Sequence, residues 1–64
     1  MNTASKPQSI PPLKPHEGSY IIVSQATGQP VLELWRDDVR LNRLNTQSYR
    51  AVPIGTWLAS LSKR

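Results

Sequence analysis

The chain has 64 residues, with eight Lys or Arg against four Asp or Glu, a net charge of +4, and no cysteine. A chain of this length accommodates one small domain, and the lack of cysteine excludes disulfides and thiolate metal sites as a source of stability. The basic balance favours an acidic partner, either nucleic acid or an acidic protein surface, and is equally compatible with charge that only maintains solubility.

The N-terminal region is rich in proline. Four of the six prolines lie within the first 17 residues among polar neighbours. Because proline fixes φ and pushes the preceding residue toward extended geometry, we expect residues 1–17 to form a disordered arm outside the domain at 18–64. Within the arm, Ile10-Pro11-Pro12-Leu13 is compatible with a docking motif for an aromatic groove and with an untied terminus.

No apolar stretch indicates export or membrane insertion. Residues 1–9 lack the apolar core of a signal peptide, and no run approaches the roughly 20 apolar residues that a bilayer span requires. Together with the lack of cysteine, this predicts a location in the reducing cytoplasm.

The first half of the predicted domain is a β-hairpin. Tyr20-Ile21-Ile22-Val23 is β-branched or aromatic throughout and predicts a strand with two apolar faces. Gly28 lies in the turn-forming segment 25–30, and Val31 to Arg36 predicts the returning strand. Alternation places Leu32 and Leu34 on one face of that strand and Trp35 on the other.

The second half predicts a turn, a third strand and a helix. Asp37 to Leu44 favours a short helical turn because carboxylates suit a helix start, although a strand is also compatible with this segment. Tyr49 to Val52 predicts a short strand. After Pro53, apolar residues recur at helical spacing, so four side chains are expected to pack on the sheet: Ile54, Trp57, Leu58 and Leu61. The predicted fold is α+β, a small antiparallel sheet packed against one C-terminal amphipathic helix.

The residue types of common catalytic and metal sites are scarce. The single histidine, His16, lies in the predicted arm, and no cysteine is available as a nucleophile. Asp37 and Asp38 are consecutive, so their side chains diverge on a strand or a helix. The three dispersed glycines form no phosphate cradle. The sequence therefore predicts a non-enzymatic protein without a cofactor or metal.

Arginine and aromatic residues are the candidate binding residues. The planar guanidinium pairs with carboxylate or phosphate, and arginine with aromatic residues is typical of protein interface hot spots and of single-stranded nucleic-acid sites. Alternatively, Trp35 covers an open sheet face and the arginines pair with Glu33, Asp37 and Asp38. The predicted partner-binding residues are Tyr20, Trp35, Arg36, Arg40, Arg43, Tyr49 and Arg50.

The run from Thr27 to Val39, followed by Tyr49 to Val52 and Thr56 to Leu58, resembles small accessory, host-takeover proteins of tailed bacteriophages. The Pro53-Ile54-Gly55 helix entry and the Pro-rich arm depart from that pattern. The resemblance implies a regulator or inhibitor that binds a host protein, with host RNA polymerase and transcription as the specific expectation. The basic charge predicts that the bound surface of that host protein is acidic. Two alternatives remain, which are direct nucleic-acid binding and a structural subunit or dimer built on the open sheet face.

Overall fold

Residues 10–62 form a three-stranded antiparallel sheet and one C-terminal helix in the computed structural model, which confirms the predicted α+β fold. The strands and helices are β1 (Ser19–Ser24), β2 (Pro30–Trp35), a 3₁₀ helix (Val39–Arg43), β3 (Tyr49–Pro53) and α1 (Ile54–Ser62). The hairpin, the short helical turn and the third strand therefore lie where the sequence predicts them.

Strand β1 is the centre of the sheet, which has the order β2-β1-β3. Both neighbours are antiparallel to it, with Ser19 opposite Trp35 at one end and Ser24 opposite Tyr49 at the other. The Gly28 backbone in the connecting turn has a φ of 74°, a conformation that glycine adopts without steric cost. A central position suits β1 because its apolar residues need cover on both sides.

One face of the sheet carries the main buried cluster, and the fully buried Val23 alternates to the other face. Tyr20 and Ile22 alternate along β1 toward this face, and the buried cluster consists of Tyr20, Ile22, Leu34, Leu41 and Ala51. Leu41 and Leu44 are three residues apart, so the 3₁₀ geometry aligns them and turns both toward the cluster.

The segment from Ile10 to Glu17 completes this core, which corrects the prediction that residues 1–17 lie outside it. Ile10 and Leu13 pack against the buried cluster, and the Tyr20 hydroxyl donates a 2.8 Å hydrogen bond to the Pro11 carbonyl. Prolines restrict the unfolded chain, so an extended segment of this composition loses little entropy when it packs. The prediction for residues 1–9 lies outside the described residues.

Helix α1 packs on the sheet through its first half only. Ile54 and Trp57 are partly buried, whereas Leu58 is 54% exposed and Leu61 is 57% exposed. The prediction that all four side chains face the sheet is therefore wrong for the two leucines. The reason is the junction at Pro53, where α1 follows β3 without a connecting residue, so the helix has no loop with which to turn back over the sheet.

Glu17 lies against the first turn of α1. Its side chain is buried, and its Oε1 accepts a 3.1 Å hydrogen bond from the Lys14 amide. Its Oε2 lies so close to Gly55 that a Cβ at this position would overlap it. The preceding Pro53 has no side-chain acceptor for the free amides of the helix start, and a carboxylate near these amides is favourable.

The pairing of β2 is irregular, and the outer edge of β3 has few free main-chain amides. Ile22 pairs with Leu32 and Val23 with Pro30, so Val31 in β2 is an extra residue without a partner on β1. At the start of β3, the Gln25 amide donates a hydrogen bond to the Ser48 carbonyl. Because alternate residues of an antiparallel strand bond to the same neighbour, the N–H and C=O groups of Tyr49, Ala51 and Pro53 point away from β1. The Tyr49 amide donates to Asn45, and proline has no amide hydrogen, so along β3 only buried Ala51 directs an uncommitted N–H outward.

We expect the two leucines to differ sharply in their effect on stability. Leu34→Ala should lower the free energy of unfolding by about 2–5 kcal/mol, because Leu34 is buried in the core. Leu58→Ala should lower it by less than about 1 kcal/mol, because more than half of that side chain is already in water. Urea unfolding followed by circular dichroism measures both, and equal losses would contradict the described packing of α1.

Candidate protein-binding surface

Trp35 ends β2 and presents the largest exposed aromatic side chain of the described residues. Its side chain is 60% exposed. The inner side of the indole rests on Gly18, where a Cβ would stand 2.7 Å from Cζ3 and 3.1 Å from Cζ2. The Arg36 amide donates a 2.9 Å hydrogen bond to the Gly18 carbonyl, which continues the ladder under the ring. One side of the indole therefore packs on the main chain at Gly18, and the other side is exposed to solvent.

The turn after Trp35 places a second apolar side chain nearby. The Asp38 amide donates a 2.9 Å hydrogen bond to the Trp35 carbonyl, and Asp38 caps the 3₁₀ helix by accepting from the Arg40 amide. Val39, the first residue of that helix, is 68% exposed. The exposed residues of this turn and helix are Trp35, Arg36, Asp37, Val39, Arg40, Asn42 and Arg43. We use the name Trp35 surface for the aromatic, apolar and basic residues among them, which are Trp35, Arg36, Val39, Arg40 and Arg43.

Arg40 is committed to an ion pair with Asp38. Its Nη2 lies 2.7 Å from Oδ2 and its Nε lies 3.0 Å from Oδ1, a bidentate arrangement. The side-chain hydrogen bond from Arg40, and then the bond from its amide, lower the pKa of Asp38 from 3.8 to about 2, and the same pairing raises the pKa of Arg40. Solvent reaches most of the Arg40 side chain, so its pairing with Asp38 is screened.

The other arginines of the site are exposed and form no ion pair within residues 10–62. This holds for Arg36, Arg43 and Arg50. The sequence also allowed an alternative in which the arginines pair with nearby acids, and among these arginines only Arg40 forms such a pair. Glu33 instead accepts a 2.5 Å hydrogen bond from the Ser19 hydroxyl. Arg40 and Arg43 are three residues apart on a 3₁₀ helix, a spacing that aligns side chains on one side.

Three of the predicted binding residues lie away from the Trp35 surface. Tyr20 is 8% exposed and belongs to the core, because its ring packs on Ile22's face of β1 and its hydroxyl is bonded to Pro11. Tyr49 pairs with Ser24, five residues along β1 from the partner of Trp35, which is roughly 16 Å at about 3.3 Å per residue. Arg50 follows Tyr49 on β3, at the opposite edge of the sheet. The structure therefore brings together Trp35, Arg36, Arg40 and Arg43, and it separates Tyr20, Tyr49 and Arg50 from them.

Gly18 and Val39 are the contributors that the sequence analysis missed. The sequence signal for Gly18 was its position directly before β1, where the register of a hairpin brings the end of β2 alongside. A glycine beside an aromatic residue on a neighbouring strand is a site of close approach. Val39 was obscured because the segment was compatible with both a turn and a strand.

A shallow groove of about 440 Å³ runs along β3, and Arg50 is its one charged lining residue.

In the described part of the chain, no group of three or more His, Cys, Asp or Glu side chains is placed to hold a metal ion. Within residues 10–62 there is also no helix with the length and apolar character needed to cross a membrane.

Comparison of the chain with protein-family models, curated proteins and solved structures gave no match.

Because of the Asp38–Arg40 ion pair, we expect the stability of the fold to depend on pH in the acidic range. Because the pKa of Asp38 is lowered to about 2 in the folded protein, the pair contributes stability above pH 3.8 and loses it as the pH falls toward 2. Arg40→Ala should return the pKa of Asp38 toward 3.8, whereas Arg43→Ala should leave it low. An NMR titration of the Asp38 carboxyl carbon distinguishes these outcomes, and an unchanged pKa in Arg40→Ala would refute the pairing.

The seat of the indole is testable by a double-mutant cycle. Gly18→Ala should displace the indole and lower the free energy of unfolding, because the added Cβ overlaps the ring. In a Trp35→Ala background, Gly18→Ala should raise the free energy of unfolding by about 0.4–1 kcal/mol, because alanine restricts the unfolded chain. Denaturant unfolding of the four proteins gives the coupling, and a coupling near zero would show that the ring does not rest on Gly18.

Proposed function

We propose that this protein is a non-enzymatic binding protein that recognises an acidic patch on another protein through the Trp35 surface. The observation that carries the proposal is the exposed indole of Trp35, seated on Gly18 with Arg36 as its neighbour in sequence. Tryptophan and arginine are the residue types most enriched in interface hot spots.

The seat under the indole favours tight binding. A large side chain that is free in solution loses rotamer entropy when a partner immobilises it, at about 0.5–1.5 kcal/mol per side chain. Contact with the Gly18 main chain restricts the indole before binding, so less of that entropy remains to be lost. Val39 adds apolar area one turn away.

Around the indole, the three arginines of the Trp35 surface stand against Asp37 and Asp38, and the excess positive charge favours an acidic partner. Arg36 and Arg43 have no ion pair in the described structure, so their guanidinium groups can pair with carboxylates of the partner. Arg40 shares its charge with Asp38 and contributes less. Such charges mainly accelerate and orient association, while the buried anchor slows dissociation.

The resemblance to bacteriophage accessory proteins supports a regulatory role in a host cytoplasm. On this proposal the protein inhibits or diverts a host protein, and RNA polymerase, and so transcription, is the specific target to test first. A small domain with one anchored aromatic surface suits a role in which binding itself is the activity.

Nucleic-acid binding is the weaker candidate for a geometric reason. Single-stranded nucleic acid is bound by successive aromatic platforms along a basic groove. Here the second exposed aromatic residue, Tyr49, lies at the opposite end and opposite edge of the sheet from Trp35, so the two form no continuous track.

The test is capture from a nuclease-treated bacterial lysate, followed by binding kinetics with the purified partner. Trp35→Ala should weaken binding by at least about 2 kcal/mol, about thirtyfold in Kd, mainly through faster dissociation. The double change Arg36→Glu, Arg43→Glu should slow association about tenfold and reduce its salt dependence. Tyr49→Ala is the matched aromatic control and should bind normally.

Two results would overturn the proposal. One is native affinity in Trp35→Ala with a folded circular dichroism spectrum. The other is binding to a short duplex or single-stranded DNA that falls steeply with salt, with no protein captured once nuclease is present.

A further inference from the structure

The groove beside β3 lies along the outer edge of the sheet. Arg50 and Val52 alternate to one face of the strand and Ala51 and Pro53 to the other, and all four line the groove. A groove that is lined from both faces runs along the edge that β1 leaves free. Because Trp35 ends the strand at the opposite edge, the groove is separate from the Trp35 surface.

Ala51 brings an unpaired main-chain amide to this groove. Its partner on β1 is Ile22, but the alternation of the ladder turns the N–H and C=O of Ala51 away from that strand. Within residues 10–62 its amide has no acceptor, although Ala51 is only 7% exposed. Buried amides without an acceptor are rare in folded proteins, because nothing replaces the water that they lose. The groove that Ala51 lines gives an acceptor from outside the domain access to this amide.

The polar side chains of the groove suit a ligand with one negative charge. Arg50 is the one charged lining residue, and it forms no ion pair within residues 10–62. Thr46 in the loop before β3 and Thr56 in the first half of α1 add hydroxyl groups. A carboxylate accepts hydrogen bonds from guanidinium, hydroxyl and amide groups, and its single charge matches one arginine. A phosphate group carries more negative charge than the groove balances.

The rest of the lining is apolar. Ile10 and Pro11 line the groove together with Val52 and Pro53. The volume of about 440 Å³ lies within the range of roughly 300–1,000 Å³ that is typical of small-ligand sites. The groove therefore has space for an apolar side chain beside a carboxylate.

We propose that this groove binds the free C-terminus of a polypeptide whose last residues are apolar. In an antiparallel pair, one residue of each strand exchanges two hydrogen bonds with its partner. The last residue of the ligand donates its N–H to the Ala51 carbonyl, and its carboxylate accepts from the Ala51 amide and from Arg50, the residue on the amide side of Ala51. The Tyr49 amide is occupied and Pro53 has none, so the pairing is confined to one residue, which favours a chain end over an internal strand. A free fatty acid offers the same carboxylate but no N–H for the Ala51 carbonyl.

An NMR titration of the native protein with the peptide acid N-acetyl-valyl-leucine tests the proposal. The amide signals of Arg50 and Ala51 should shift saturably, with a dissociation constant of about 0.1–1 mM for a ligand of this size. The same peptide with a C-terminal carboxamide should bind at least about tenfold more weakly, because it lacks the charge that pairs with Arg50. Octanoate, which has the carboxylate without the N–H, should also bind at least about tenfold more weakly.

Two arginine variants provide the matched comparison on the protein side. Arg50→Gln should stay folded by circular dichroism and weaken binding of the peptide acid at least about tenfold. Arg36→Gln removes the same charge at the opposite edge of the sheet and should change the dissociation constant less than about twofold. Trp35→Ala should bind the peptide normally, so the groove and the Trp35 surface are tested separately.

Four results would overturn the proposal. They are the absence of a saturable shift at Ala51, equal affinity for the peptide acid and its carboxamide, equal losses in Arg50→Gln and Arg36→Gln, and octanoate binding as tight as that of the peptide. The last of these would assign the groove to free carboxylic acids.

Discussion

The architecture depends on the junction at Pro53, where β3 ends and α1 begins at the next residue. A helix that is to cover a sheet face needs a loop in which the chain reverses, and this chain has none at that point. The core face is instead covered by the Ile10–Leu13 segment and by Leu41 and Leu44. Glu17 then packs against Gly55 and fixes the first turn of the helix. The exposure of Leu58 and Leu61 follows from the same junction.

Local patterns in the sequence predicted the elements well and their packing less well. The β-branched run of β1, the glycine turn and the aspartates before the 3₁₀ helix act within a few residues, so they could be interpreted directly. Helical periodicity identified the apolar side of α1, but it contains no information on whether a sheet extends beneath that side. Proline content likewise does not distinguish a free arm from an extended segment that packs, because both have the same backbone geometry.

The candidate site was predicted in composition and only partly in position. Trp35 and Arg36 lie together because they are neighbours in sequence, and the 3₁₀ helix adds Val39 and Arg43 by the same proximity. Tyr20 was assigned to the surface because a tyrosine on a two-faced strand is compatible with either side, and the cover supplied by Pro11 decides between them. Tyr49 and Arg50 were separated from Trp35 by the strand order β2-β1-β3, which places them across β1.

The two sheet edges restrict the kind of recognition in which this protein can take part. A partner that adds a strand to a sheet forms main-chain hydrogen bonds and tolerates many sequences, because every peptide carries the same amide groups. The unpaired Val31 distorts one edge, and on the other edge Pro53 and the occupied Tyr49 amide leave the Ala51 amide as the one free donor of β3. Recognition by the proposed Trp35 surface would therefore depend on side-chain identity. If the proposed protein partner exists, changes at a few of its contact positions would weaken recognition, and the two sequences would have to change together.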